Sequence, residues 1–228
     1  MQFIRAGLLS LGLLALIPAD AWAQWTVSSP NGSISISVNR NSSTGALSYS
    51  VTQGGAVVIE SSALGISTSI GDFSSGLSFV GRGDTVINES YSLPGRKKAS
   101  YVNNANEAVL RFSKGGQELQ LVVRAYNDGI AYRYRVPGSG ALTIHGESSA
   151  FNLPDAATGH AQSYVSNYEG YYTARSSFIT GNFGMPVLAT ASNRWILLAE
   201  SDIGGNYHTA QLTGGSGNNL RFVWPTAT

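Results

Sequence analysis

The chain has 228 residues, no cysteine, a formal net charge of +1 and only 12% charged residues. Without thiols there is no cysteine nucleophile, no thiolate-held zinc and no cysteine-ligated iron–sulfur cluster. The longest basic run is Arg96-Lys97-Lys98. That is too little clustered cation for nucleic acid, which needs many phosphate contacts.

The first segment reads as an address. Met1 to Arg5 carries one basic residue, Ala6 to Ile17 is apolar, and Ala21-Trp22-Ala23 is a small-x-small cleavage site. This is the plan of a secretory signal peptide over residues 1–23. Twelve apolar residues are too few for a membrane helix, which needs roughly 20. The expectation is an exported protein, periplasmic or extracellular, with no membrane span once the signal is removed. Residues 24–228 then form one large domain, long enough to bury a core without disulfides.

From residue 33 onward the pattern is alternation. Ser33 to Val38 places Ile34, Ile36 and Val38 on one face and serines on the other, a half-buried strand. Residues 41–45 turn the chain, and Ala46 to Val51 returns. Gly54-Gly55 turns it again into a strand over 56–60. Further strands are predicted over 64–70, 77–80 and 85–89, with a turn at Gly71-Asp72. A hairpin joins 109–112 to 118–126 across Lys114-Gly115-Gly116. Asn127-Asp128-Gly129 leads into Ile130 to Val136. There Ile130, Tyr132, Tyr134 and Val136 share one face, and Arg133 and Arg135 the other.

Strands follow at 142–145 and 148–153, stopped by Pro154. Residues 160–184 lose the alternation and gain tyrosines. Pro186 to Thr190 and Trp195 to Glu200 pair across Ser192-Asn193, and 211–212 and 220–224 close the series. No amphipathic helix and no fixed repeat appears. Short strands every 8 to 12 residues with Gly, Asn and Asp turns give an all-β class, a sandwich of antiparallel strands. The last residues resemble a cut just after a strand.

Three stretches carry a family likeness. The opening Ser28-Ser29-Pro30-Asn31-Gly32, followed by Leu47-Ser48-Tyr49, is similar to the family's "SPDGK" start and Leu-Ser-Tyr strand. Arg124-Ala125-Tyr126-Asn127-Asp128-Gly129-Ile130-Ala131-Tyr132-Arg133-Tyr134 is like its "R-x-Y-[ND]-D-G-[IV]-A-[FY]-R-Y". Tyr164 to Glu169, Met185-Pro186-Val187 and Leu198 to Asp202 follow in its order. The chain thus resembles the N-terminal domain of glycoside hydrolase family 97 over nearly its whole length.

The resemblance implies a β-super-sandwich that precedes a (β/α) barrel in exported hydrolases of α-glucosides or α-galactosides. It also implies an active-site calcium ion with one carboxylate from this domain, at the position of Glu169. The barrel, with the catalytic carboxylates and the other calcium ligands, lies outside this sequence. No catalytic residue is therefore assigned here. Calcium takes six to eight oxygens, so Glu169 alone should bind it weakly or not at all.

Tyr164, Tyr168 and Tyr171, with Tyr172, are candidates to stack on sugar rings, since tyrosine has an apolar face and a polar tip. Ordinary packing between sheets is their other reading. Glu200 and Asp202 are two residues apart and invite an acid–base role; loop and hydrogen-bonding roles are preferred. His145, His160 and His208 form no metal-binding pair, and there is no G-x-S-x-G elbow. Arg82-Gly83-Asp84 looks adhesive, but three residues recur by chance. A second reading of the chain is a free-standing carbohydrate-binding sandwich. A sticky, barrel-facing surface is expected around 160–184 and 200–210.

Overall fold

The computed structural model describes residues 23–95, 97–201, 203 and 209–224. The predicted signal peptide, Arg96, Asp202 and His208 fall outside these, apart from Ala23 at the end of the signal. In chain order the strands are β1 (Ala23–Ser28), β2 (Ile34–Arg40), β3 (Leu47–Gln53), β4 (Ala56–Leu64), β5 (Ile66–Thr68), β6 (Gly71–Asp72), β7 (Ser78–Ser92), β8 (Ser100–Lys114) and β9 (Gln117–Tyr126). They continue with β10 (Ile130–Arg135), β11 (Ile144–Glu147), β12 (Ala150–Asn152), β13 (Thr158–Ser163), β14 (Tyr172–Arg175), β15 (Asn182–Ala191), β16 (Arg194–Leu198), β17 (Gln211–Thr213) and β18 (Asn219–Val223). A single turn of 3₁₀ helix at Ser216–Asn218 is the one helical element among the described residues. The protein is an all-β sandwich, as its alternation predicts.

The principal sheet runs β1-β2-β3-β4-β12-β18-β17-β15-β13-β14, with β16 also paired to β15. A second sheet, β10-β9-β8-β7, covers its first half, and β11-β5-β6 makes a small third sheet. All pairings are antiparallel, made largely by tight turns. Gly54-Gly55, Gly115-Gly116 and Ser192-Asn193 have both central residues at positive φ, the twist that two-residue hairpins require. Ser192 adopts it without glycine's freedom.

Between the sheets the apolar face of each strand is buried. Ile36, Val38, Tyr49 and Val51 come from one sheet; Leu110, Phe112, Leu121 and Val123 come from the other. Trp25 on β1 packs on Phe79 and Phe112, at 4.4 and 5.4 Å between ring centres. The second half of the principal sheet buries Phe183, Val187, Ala189, Leu212 and Leu220.

Two short strands expected at 77–80 and 85–89 are one continuous strand, β7, paired with an equally long β8. Nearly every β7 residue is exposed on both faces. A ribbon without an inner face has no burial contrast, so its sequence lacks the alternation that marks a strand. The Arg-Gly-Asp tripeptide lies within it. Arg82 Nη2 meets Asp84 Oδ1 at 2.7 Å, so the two charges neutralise each other.

Candidate functional site

The segment that loses its alternation becomes a loop, residues 164–171, between β13 and β14. Backbone bonds hold its base: Tyr164 N–H donates to Asn182 O at 2.8 Å and Tyr168 N–H to Val165 O at 3.0 Å. Tyr168 has φ 56°, a left-handed conformation uncommon for a bulky residue. Contacts hold it there. Its ring lies against Gly184, where an added Cβ would come within 3.1 Å, and stands edge-on to Tyr164 at 5.6 Å. Gly170 sits equally close to the buried Gln162, whose Nε2 would lie 2.9 Å from a Cβ there.

The tyrosines therefore divide. Tyr164 and Tyr168 pack on one another, while Tyr171 is 89% exposed and Tyr172 49%. The Glu169 carboxylate lies between them, also exposed. It accepts a hydrogen bond from Asn167 Nδ2 at 3.2 Å, and Asn167 Oδ1 accepts from Glu169 N–H at 3.1 Å. No cation pairs with Glu169 among the described residues. As a calcium donor set the loop fits one ligand and no more. The described residues contain no group of three or more His, Cys, Asp or Glu that could hold a metal ion.

Below the loop lie two carboxylates. Glu200 Oε2 accepts from Ala210 N–H at 3.0 Å, the hydrogen-bonding role preferred for it from the sequence. Burial raises its carboxyl, and that bond partly opposes the rise. The Tyr168 hydroxyl is raised by burial and then by Tyr164, Glu200 and Tyr172. Glu147, at the end of β11, is pushed up to about 7, first by burial and then by Glu200, with Ser149 acting against the rise. Glu200 thus acts on both the loop and the interior.

Beside Glu147 lies a tyrosine cluster, the buried Tyr49 with the half-buried Tyr132 and Tyr134. Tyr49 donates to Ala150 O at 2.9 Å, Gly65 N–H donates to Tyr134 Oη at 2.7 Å, and Tyr134 Oη and Ser149 Oγ are 2.6 Å apart. The alternation of the sequence puts Tyr132 and Tyr134 on one face together, but nothing in it singles out Glu147. It follows Ile144-His145-Gly146 with no motif around it; only tertiary burial singles it out.

The glycosyl-hydrolase 97 N-terminal model matches residues 27–227. The chain belongs to that family. This N-terminal domain is 35% identical over 218 residues to a probable retaining α-galactosidase of Streptomyces bingchenggensis, covering 93% of this chain and 34% of that protein. It is 25% identical over 168 residues to a retaining α-galactosidase of Bacteroides thetaiotaomicron, covering 73% of this chain and 24% of that protein. The chain therefore spans a third or less of the curated relatives it matches.

Among solved structures, a β-arabinopyranosidase superposes with a TM-score of 0.79 at 25% identity, over 89% of this chain and 35% of that one. A family 97 enzyme of Pseudoalteromonas sp. strain K8, in complex with panose, superposes with 0.76 at 21% identity, over 87% and 31%. At that identity the second likeness concerns the fold alone.

Proposed function

We propose that this domain is the non-catalytic wall of the sugar site in an exported, calcium-dependent α-glycosidase. In that role it packs on a (β/α) barrel of the kind its longer relatives have room for. The reading rests on one observation above all. A loop with a fixed base holds out a large aromatic, Tyr171, and an exposed carboxylate, Glu169, that pairs with no cation among the described residues. Glu169 would supply one oxygen to calcium, and the barrel the rest. When bound, that ion would stabilise negative charge near the sugar. Tyr171, with Tyr164 and Tyr168 behind it, would offer a flat face to an α-linked glucoside or galactoside.

Exposed Val165, Tyr172 and Ile179 lie along the same stretch. They support a surface that a partner covers, since burying apolar area is the main favourable term in such docking.

The experiment is a chimera in which this domain replaces the matching third of the Streptomyces relative. It should hydrolyse an α-galactoside, and Tyr171→Ala in it should raise KM by about tenfold, the scale of one lost aromatic contact. The 228-residue chain alone should hydrolyse neither α-glucosides nor α-galactosides. Hydrolysis by the chain alone, or a chimera indifferent to Tyr171, would sink the reading.

A further inference from the structure

The outward face of β16-β15-β13-β14 has no role in the reading above. Strand register assembles it. Thr190 stands opposite Trp195 on one side and Thr158 on the other. Leu188 stands opposite Leu197 and His160, and His160 opposite Ala174. Side chains directly opposite one another share a face about 5 Å apart, so these form two adjacent rungs across the strands.

The face is open. Trp195 is 68% exposed and Leu197 63%, whereas Leu198 between the same strands is buried. Next to the indole runs an open groove of about 490 Å³, lined by Thr158, His160, Ala174, Arg175, Ser176 and Thr190. The Arg175 side chain turns to the other face: Arg175 pairs with Gly159, one position from the His160–Ala174 rung, donates to Ser163 Oγ at 2.7 Å and lies 5.3 Å over the buried Phe183 ring.

We infer that this face is a second, non-catalytic carbohydrate-binding surface, on which Trp195 stacks a neutral α-linked oligosaccharide and the Thr158–Thr190 groove bonds its hydroxyls. The chemistry selects that ligand. An exposed indole offers a flat apolar face, and the neighbouring threonines, serine and histidine offer donors and acceptors. Trp195, Leu197 and Leu188 are apolar neighbours on this face, so a second copy of the chain is the competing occupant, and the polar Thr158, His160, Ser176 and Thr190 beside the indole favour the sugar. One arginine, already engaged, is too little for an anionic polymer. The choice of an α-linked sugar rests on the glycosidase reading of the domain; the existence of the surface does not.

The test uses the purified 228-residue chain with panose and with raffinose as probes, followed by tryptophan fluorescence and calorimetry. Saturable binding of either sugar is expected. Trp195→Ala should weaken it at least tenfold, Trp195→Tyr should keep it within about threefold, and Tyr91→Ala, on the β7 ribbon, should leave it unchanged. Thr158→Arg, which fills the groove without touching the core, should abolish it and guards against misfolding of the indole variant. No binding, or binding that Trp195→Ala leaves intact, would overturn the inference. So would dilution-dependent self-association that Trp195→Ala removes, which would make the face a contact between copies. Neither failure touches the chimera experiment, which reads Tyr171 through catalysis.

Discussion

Two groups of tyrosines in this domain are put to opposite uses. Tyr49, Tyr132 and Tyr134 pack inward, their rings 5.4 and 6.1 Å apart in sequence along the cluster, and the hydroxyls of Tyr49 and Tyr134 are spent on backbone and serine partners. Tyr171, at the end of the loop, and Tyr172, the first residue of β14, stand outside. The residue type is the same; the local period differs. A strand with strict alternation delivers its tyrosines to one face, and sheet packing decides that the face is buried. A segment without period delivers them wherever its turns allow.

The contrast can be broken from the inside first. Tyr49→Ala empties a fully buried site and should cost about 3–5 kcal/mol in urea unfolding, as other buried aromatic truncations do. If the cost is below 1 kcal/mol, the cluster is not core. Next in size is the pH dependence of Glu147. Its folded carboxyl holds a proton up to about 7, against an ordinary value of 4.5, so the folded chain binds the extra proton between those values. Stability is therefore highest below pH 4.5 as far as this group is concerned, and declines as pH rises towards and through 7. The loss is at most about 3 kcal/mol, from 1.36 kcal/mol per unit. Glu147→Gln should flatten that slope and raise the melting temperature at pH 8. An unchanged profile would mean that Glu147 is solvated.

Tyr134→Phe removes only a hydroxyl, but Gly65 N–H and Ser149 Oγ lose a partner. The expected cost is about 1–3 kcal/mol. On the outer group the effects are smaller. Gly170→Ala pushes on Gln162, and should cost about 1 kcal/mol or shift the loop. Tyr171→Ala should change stability by less than about 0.5 kcal/mol. A large loss there would mean that Tyr171 packs within the domain and is not held out for a partner.

Much of this arrangement is legible from the residues. Ile34-Ser35-Ile36-Ser37-Val38 and Ile130 to Arg135 show their buried faces directly, and the glycine pairs and Ser192-Asn193 mark their turns. Two things are not legible. Strand β7 is hidden because residues exposed on both faces need no alternation, whereas its partner β8 buries Leu110 and Phe112 and is legible there. Strand order is hidden too, since β12 sits between β4 and β18 through pairings of residues some 70 to 90 positions apart. At the site, Tyr164 to Glu169 stand out as an aromatic, aperiodic stretch with one carboxylate. The separate fates of Tyr168 and Tyr171 do not, because the close approach to Gly184 decides them. Trp195 reads in sequence as part of an apolar strand; only the register reveals that it faces outward.

The central claim is that the loop serves a larger enzyme through Glu169. The most direct test is the calcium dependence of α-galactoside hydrolysis by the chimera with the Streptomyces relative, with and without Glu169→Gln. Loss of one carboxylate ligand should raise the calcium concentration for half-activity by at least tenfold, on the order of 1.4 kcal/mol, with the fold and melting temperature retained. A chimera whose calcium dependence is the same with glutamine at this position would contradict the account.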